Sequence, residues 1–209
     1  MHLVLLNCGL PGPAYHGGAV TCWAIVKAML AGGHKVTVLS LFDVSDTNPY
    51  LESRDIQTKG LHDIGAEVEF VEYKYKELTG TDNPANLFSK TAGRIRSISS
   101  PQMERYFPWA RLKPAVQVKL EAIKPDAIFC YHFDALSAVY DINTAPIMAG
   151  VGDLWHLPGY FRWKIQAPSI RKYMADGIYQ LAYRIISEKL MSEMLKPCRK
   201  RGAFAAHYA

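Results

Sequence analysis

The sequence predicts a doubly wound, mostly parallel α/β sheet flanked by helices, and three observations carry that expectation. Short apolar runs of strand length alternate with helical stretches along the whole chain. His2 to Leu41 form a complete strand–loop–helix–strand unit. The run Ala127-Ile128-Phe129-Cys130-Tyr131 is continuously apolar, as strands buried on both faces of a parallel sheet are. Alternation of this kind builds βαβ units with right-handed crossovers, and their loops present ligands at the carboxyl ends of the strands.

The elements follow in order. His2-Leu3-Val4-Leu5-Leu6-Asn7 is a short apolar strand, and Pro11 to Gly18 can continue neither a strand nor a helix. Ala19 to Ala31 is rich in helix formers, with Val20, Trp23, Ala24, Val26, Lys27, Leu30 and Ala31 recurring at three and four. Gly32-Gly33 stops that helix, and the β-branched run Lys35 to Leu41 is the next strand. After a polar loop, Leu51 to Gly65 reads as a helix with Ile56, Leu61 and Ile64 on one side, followed by the alternating strand Val68 to Tyr73. Residues 74 to 84 are charged and end in the turn residues Thr81-Asp82-Asn83-Pro84. Helical patches are expected over Asn86 to Ile98 and Pro108 to Ile123, split by Ser99-Ser100-Pro101. The buried strand at Ala127 is followed by a short helix, Phe133 to Tyr140, and by a strand, Pro146 to Val151. A long loop, Gly152 to Ala167, leads to a helix over Ile170 to Leu195, and Ala203 to His207 begins a sixth strand. Residues 1–209 are therefore expected to form a single Rossmann-like domain. Because a buried strand is a poor place to end a fold, the natural protein is expected to continue beyond it.

Composition narrows the partners. A net charge of +5 over 209 residues is a mild attraction for anions: phosphates, nucleotides or a negatively charged membrane face. It is too small to argue for nucleic acid, and no nucleic-acid motif is present. Cys8, Cys22, Cys130 and Cys198 have no Cys-x-x-Cys spacing and read as thiols of a reducing compartment. The amino terminus lacks a basic region and a cleavage site, and no stretch reaches the roughly 18 apolar residues of a membrane span. A cytoplasmic location is expected. The seven histidines are scattered, so no metal site is expected.

The chemistry points to the first loop. Gly17-Gly18 ahead of a helix would let backbone N–H groups approach a phosphate at the helix's positive end, although the same pair also suits a plain tight turn. The glycines of this region fall at 9, 12, 17 and 18, so the dinucleotide fingerprint is absent, as is the phosphate loop ending in Gly-Lys-Ser/Thr.

His16-Gly17-Gly18-Ala19, with a helix running into Met29-Leu30-Ala31-Gly32-Gly33-His34-Lys35-Val36-Thr37-Val38-Leu39, resembles the opening of a family 4 glycosyltransferase. Gly65-Ala66-Glu67-Val68, Lys124-Pro125-Asp126-Ala127-Ile128 and Ala145 to Asp153 resemble three later stretches of that family, in order. The resemblance implies the amino-terminal half of a GT-B fold, the half that faces the acceptor. The carboxyl-terminal nucleotide-sugar domain would lie outside this chain, which alone would be inactive. It also implies a retaining transfer without metal or bound cofactor, from a nucleotide diphosphate-sugar donor to a glycan or lipid-linked acceptor. Gly17 and Gly18 then correspond to the donor-phosphate contact, with His16 beside them. Counting from Asp126 puts Tyr131 where the family has the second histidine of His-x-His, and His132 follows it; both are candidates to line the sugar site, with His132 as the catalytic candidate. Asp153 falls where the family has His-Asp and is a candidate for acceptor binding or for an Asx-turn, and Trp155, His156 and Arg162 share its loop. The basic cluster Lys196, Arg199, Lys200 and Arg201 suits peripheral contact with the inner face of a membrane, or a solvated helix end.

Two alternatives fit the same fold: a non-catalytic α/β module that binds an anion or a protein, and a nucleotide-sugar epimerase. The receiver version of the module is disfavoured, because Asn7-Cys8 stands where acidic residues would be needed.

Overall fold

The computed structural model describes residues 1–14, 17–79, 107–151, 185, 189–194 and 205–207. Six strands form one sheet: β1 (His2–Cys8), β2 (Lys35–Asp43), β3 (Glu67–Tyr73), β4 (Ala127–Tyr131), β5 (Ile147–Val151) and β6 (Ala205–His207). Their order is β3-β2-β1-β4-β5-β6, and every pairing is parallel. This is the doubly wound Rossmann-like arrangement, with the order reversing between β1 and β4.

The strands show why both faces are covered. In β1, Val4 and Leu6 belong to one core and Leu5 to the other; in β2, Leu39 and Leu41 oppose Val36, Val38 and Phe42. Successive side chains of a strand point to opposite faces, so an unbroken apolar run needs helices on both. Helices α1 (Gly17–Ala31) and α2 (Arg54–Asp63) supply Cys22, Val26 and Leu61 to one face. On the other, α4 (Lys113–Ile123) supplies Val116 and Leu120, α5 (His132–Ser137) supplies Leu136, and helical residues 189–194 supply Leu190, Met191 and Met194. No helix among the described residues is long and apolar enough to cross a membrane.

Crossovers re-enter the sheet through left-handed residues. Gly33 (φ 75) and Gly65 (φ 93) close α1 and α2, and their N–H groups donate to Leu30 and His62 carbonyls at 2.9 Å. Lys124 (φ 52) closes α4, its N–H donating to Leu120 O at 2.8 Å, and Pro125 then bars further helix. On β3 ion pairs join Glu67 to Lys35 (2.9 Å), Glu72 to Arg54 (2.6 Å) and Glu69 to Lys119 (2.7 Å), and such charges discourage strand addition at an edge.

Several expectations are corrected. The first helix begins at Gly17 rather than Ala19, and its buried residues are Ala19, Cys22 and Val26, whereas Val20 is 39 % exposed. On α2 the buried residues are Gln57 and Leu61, one turn apart, and Ile56 is 72 % exposed. Five residues separate Ile56 from Leu61, which puts them well apart around a helix of 3.6 residues per turn. The charged stretch after β3 contains a short helix, α3 (Tyr75–Thr79), which turn chemistry did not announce. Pro108–Leu112 is a 3₁₀ turn separate from α4, since Pro114 lacks the N–H that would continue one helix into the next. Helix α5 begins at His132 and ends at Ser137, ahead of Tyr140. The expected helix over Asn86 to Ile98 and most of that over Ile170 to Leu195 lie outside the described residues.

Gly150 of β5 shows how tightly the sheet packs: a Cβ there would lie 2.7 Å from Phe129 Cζ. Gly150→Ala should destabilise the fold by about 1–3 kcal/mol, as overpacking does. Chemical denaturation would read this, and Phe129→Leu should recover part of the loss in the double variant.

Candidate functional site

In an open α/β sheet the ligand crevice lies beyond the carboxyl ends of the strands where their order reverses. Here that is between β1 and β4, where Leu6 pairs with Cys130, so the exit of β1 at Cys8 lies beside the exit of β4 at Tyr131.

The β1 exit is pinned to β2. Gly9 takes φ 94, its N–H donates to Leu41 O at 3.0 Å, and its carbonyl accepts from Ser40 Oγ at 2.7 Å. A side chain would strain that conformation, so glycine is required at this position. Leu10 and Pro11 are buried, and Gly12 N–H donates to Ala19 O at 3.2 Å, folding the loop back onto α1.

Gly17 and Gly18 prove to be the first two residues of α1 rather than part of the loop before it. A Cβ on Gly17 would meet nothing within 4 Å. The first-turn N–H groups of a helix have no partner within that helix, and the bare Gly17 Cα at its positive end leaves room for a ligand to approach.

Across the switch point stands His132, half-buried, with φ 68 at the first residue of α5. A residue with a β-carbon held there carries strain of roughly 1–3 kcal/mol, and such strain collects at functional sites. Tyr131 is also half-buried; its ring meets the His132 ring edge-on at 4.0 Å and packs against the core beneath α1 and α2. Tyr131 thus supports the histidine from below. The structure places Tyr131 and His132 in contact, with the start of α1 on the β1 side of the crevice. His16, Asp153, Trp155, His156, Arg162, Cys198 and the cluster Lys196 to Arg201 lie outside the described residues.

A second group gathers behind His132, and pattern reading missed it. Asp134 Oδ1 is buried with no hydrogen-bond partner among the described residues, and burial pushes the carboxyl up to about 7. Burial, with the Asp134 charge second, raises the Cys8 thiol well above its ordinary value. Cys8 is therefore kept protonated and makes a poor nucleophile. The Tyr73 hydroxyl is raised mainly by burial and accepts from Trp109 Nε1 at 3.0 Å. Only the glycine directly after a strand could have been found by position; nothing in the sequence marks Asp134. Cys8, Cys22 and Cys130 are free thiols. Among the described residues no group of three or more His, Cys, Asp or Glu side chains could hold a metal ion.

Between the carboxyl ends of β1, β2 and β3 lies a cavity of about 140 Å³ with a mixed lining: Leu10, Leu41 and Phe42 on its apolar part, Asp43, Asn48 and Gln57 on its polar part. Its β2 rim is preorganised. Asp43 Oδ1 accepts from the Ser45 N–H (3.0 Å), the Ser45 hydroxyl and the Tyr75 N–H (3.1 Å), and Asn48 Nδ2 donates to Asp43 O at 2.5 Å.

No protein-family model and no curated protein matches the chain. Among solved structures, CalG4, the calicheamicin glycosyltransferase, is similar at 11% identity and a TM-score of 0.45, covering 92% of this chain. The chain spans 45% of that protein's length. The fold class rests on the strand order and the parallel pairings.

Asp134 makes stability depend on pH. Its folded pKa, about 7, lies above the ordinary 3.8, so the folded state holds the proton more tightly. The protonated carboxyl's contribution is fully present below pH 3.8 and is lost as pH rises towards 7, by at most about 1.4 kcal/mol per pH unit. Asp134→Asn should flatten that slope and be the more stable protein at pH 8; parallel stability curves for the two proteins from pH 4 to pH 8 would rule this out.

Proposed function

We propose that this chain is the acceptor-side domain of a retaining, metal-independent glycosyltransferase of the GT-B type, moving a sugar from a nucleotide diphosphate-sugar to a glycan or lipid-linked acceptor. The observation that carries the reading is the pairing, across the β1/β4 switch point, of the open first turn of α1 with the strained His132. The sequence motifs from His16 to Leu39 and from Lys124 to Asp153 support it through their resemblance to family 4.

In this reading the donor diphosphate sits against the first-turn N–H groups of α1. As the sugar–phosphate bond breaks, negative charge grows on the departing diphosphate, and preformed donors stabilise that charge more than they stabilise the ground state. They do so without a metal ion. Gly17 and Gly18 keep the approach short, because a side chain there would occupy the space the phosphate needs. His132 hydrogen-bonds a hydroxyl of the transferred sugar and orients it; Tyr131 fixes the imidazole. The nucleotide is held by a second domain outside these residues. His16 and Asp153 are, from their places in the sequence, the further candidates for donor and acceptor contact, and the basic cluster Lys196 to Arg201 is the candidate for contact with a membrane surface where a lipid-linked acceptor is presented. Such an enzyme works in the cytoplasm and needs no nucleic-acid partner.

The test is nucleoside diphosphate release from a panel of nucleotide-sugars, comparing the 209-residue chain with the protein read on past Ala209. The longer protein should turn over only with an acceptor present and should keep its rate in EDTA. His132→Ala should lower kcat by about 10- to 100-fold, the worth of one buried hydrogen bond to substrate. Gly17→Val should raise the donor KM. Turnover by the 209-residue chain alone would sink the two-domain reading, and acceptor-independent conversion of the donor would point to an epimerase.

A further inference from the structure

Beside the strand-end cavity lies a second, larger one. It is an apolar groove of about 420 Å³ between the β1–α1 loop, α1 and α2, lined by Pro11, Pro13, Ala14, Trp23, Ile56, Gln57, Gly60 and Ile64. None of these residues carries a formal charge. That volume lies within the range of about 300–1,000 Å³ typical of small-molecule sites. Gln57 lines both cavities. Its side chain is 6% exposed, and its Nε2 donates to Ser53 Oγ at 3.3 Å, which holds the amide at the junction.

Two features keep the groove open. Gly60 stands inside α2, where glycine is a poor choice for a helix, and a Cβ there would project to within 3.7 Å of Trp23 Cη2. A larger side chain at 60 would fill the groove. Pro11 and Pro13 fix the loop that forms the opposite wall, since proline removes the φ freedom by which the wall would collapse. Ile56 is 72 % exposed at the rim, an apolar surface with nothing of the described chain laid over it.

From the adjacency of the two cavities at Gln57 we propose that the chain binds a neutral amphiphile: a hydroxyl-bearing head at the Asp43–Asn48 rim of the strand-end cavity and an apolar body in the Trp23–Ile56–Gly60 groove, meeting at Gln57. The charge lining the strand-end cavity decides the head. Its formally charged side chain is the carboxylate of Asp43, which repels a phosphate at close range and accepts hydrogen bonds from hydroxyls. An alkyl or aryl glycoside fits both halves; an anionic lipid headgroup fits neither. The inference rests on the transferase reading only in naming this ligand the acceptor. It narrows that acceptor to a glycoside with an apolar aglycone whose recognised end is uncharged.

Binding is measured by calorimetry on the chain itself with n-octyl β-D-glucoside below its micelle concentration, methyl β-D-glucoside, and octyl phosphate. The octyl glucoside should bind at least tenfold more tightly than either of the others. Gly60→Leu should remove that advantage. Ile56→Asp, at an exposed position where the fold is not at risk, should weaken octyl glucoside binding at least fivefold and leave methyl glucoside unchanged. Equal binding of octyl and methyl glucosides, preference for octyl phosphate, or indifference to both substitutions overturns the proposal. These readouts need no donor and no second domain. Failure here with transferase activity intact therefore leaves the function above standing, and binding without activity leaves this site standing.

Discussion

Strand β1 bears hydrogen bonds to β2 on one side and β4 on the other, and its side chains go alternately to two separate cores. That double duty constrains everything around it. A strand so placed can carry almost no polar side chain in its middle, which is why it reads Leu-Val-Leu-Leu. Chain leaving its carboxyl end must also turn at once, because a parallel partner stands on each side. Gly9 makes the turn, and its two hydrogen bonds to β2 return the backbone polarity that the turn would otherwise leave unpaired. The order of strands reverses at β1, so the loops after β1 and β4 leave towards opposite faces of the sheet. A crevice opens there as a consequence of topology, before any residue in it is chosen for chemistry.

Much of this was legible in the sequence because burial on two faces leaves a strong signature. Strand β4 reads as a continuous apolar run, and its expected span agrees with the structure at both ends. The helices were legible in position but not in rotation. In α1 the side turned to the sheet carries Ala19 and Cys22, small residues that let the helix come close, and a search for large apolar side chains points one residue too late. In α2 a glutamine is buried and an isoleucine exposed, the reverse of what hydrophobicity alone prescribes. Both exceptions lie where the molecule has cavities, and packing alone would have removed them. Asp134 was not legible at all, since its environment comes from segments far from it in sequence, among them the ends of β1 and β3.

His132 and Asp134 lie two residues apart at the end of β4, and each costs stability. One holds a left-handed backbone without being glycine, and the other buries a carboxyl oxygen without a partner. Either could be relieved by a single substitution, to glycine or to a small apolar residue. Strain and buried polarity persist where the surrounding structure over-determines them and the arrangement has a use. In β2 the buried hydroxyls of Thr37 and Ser40 are both hydrogen-bonded, and among the described residues the Thr58 hydroxyl on α2 is the other buried side-chain atom without a partner.

Charge then divides the crevice. The start of α1 offers the positive end of a 15-residue helix, while the β2 rim offers the Asp43 carboxylate. An anion is drawn to the first and turned from the second. Asp134 lies on the far side of β1 from β2, just past the end of β4, and burial raises its pKa to about 7. In the proposed reaction the phosphate belongs at the helix, and the uncharged, hydroxyl-bearing partner belongs at β2.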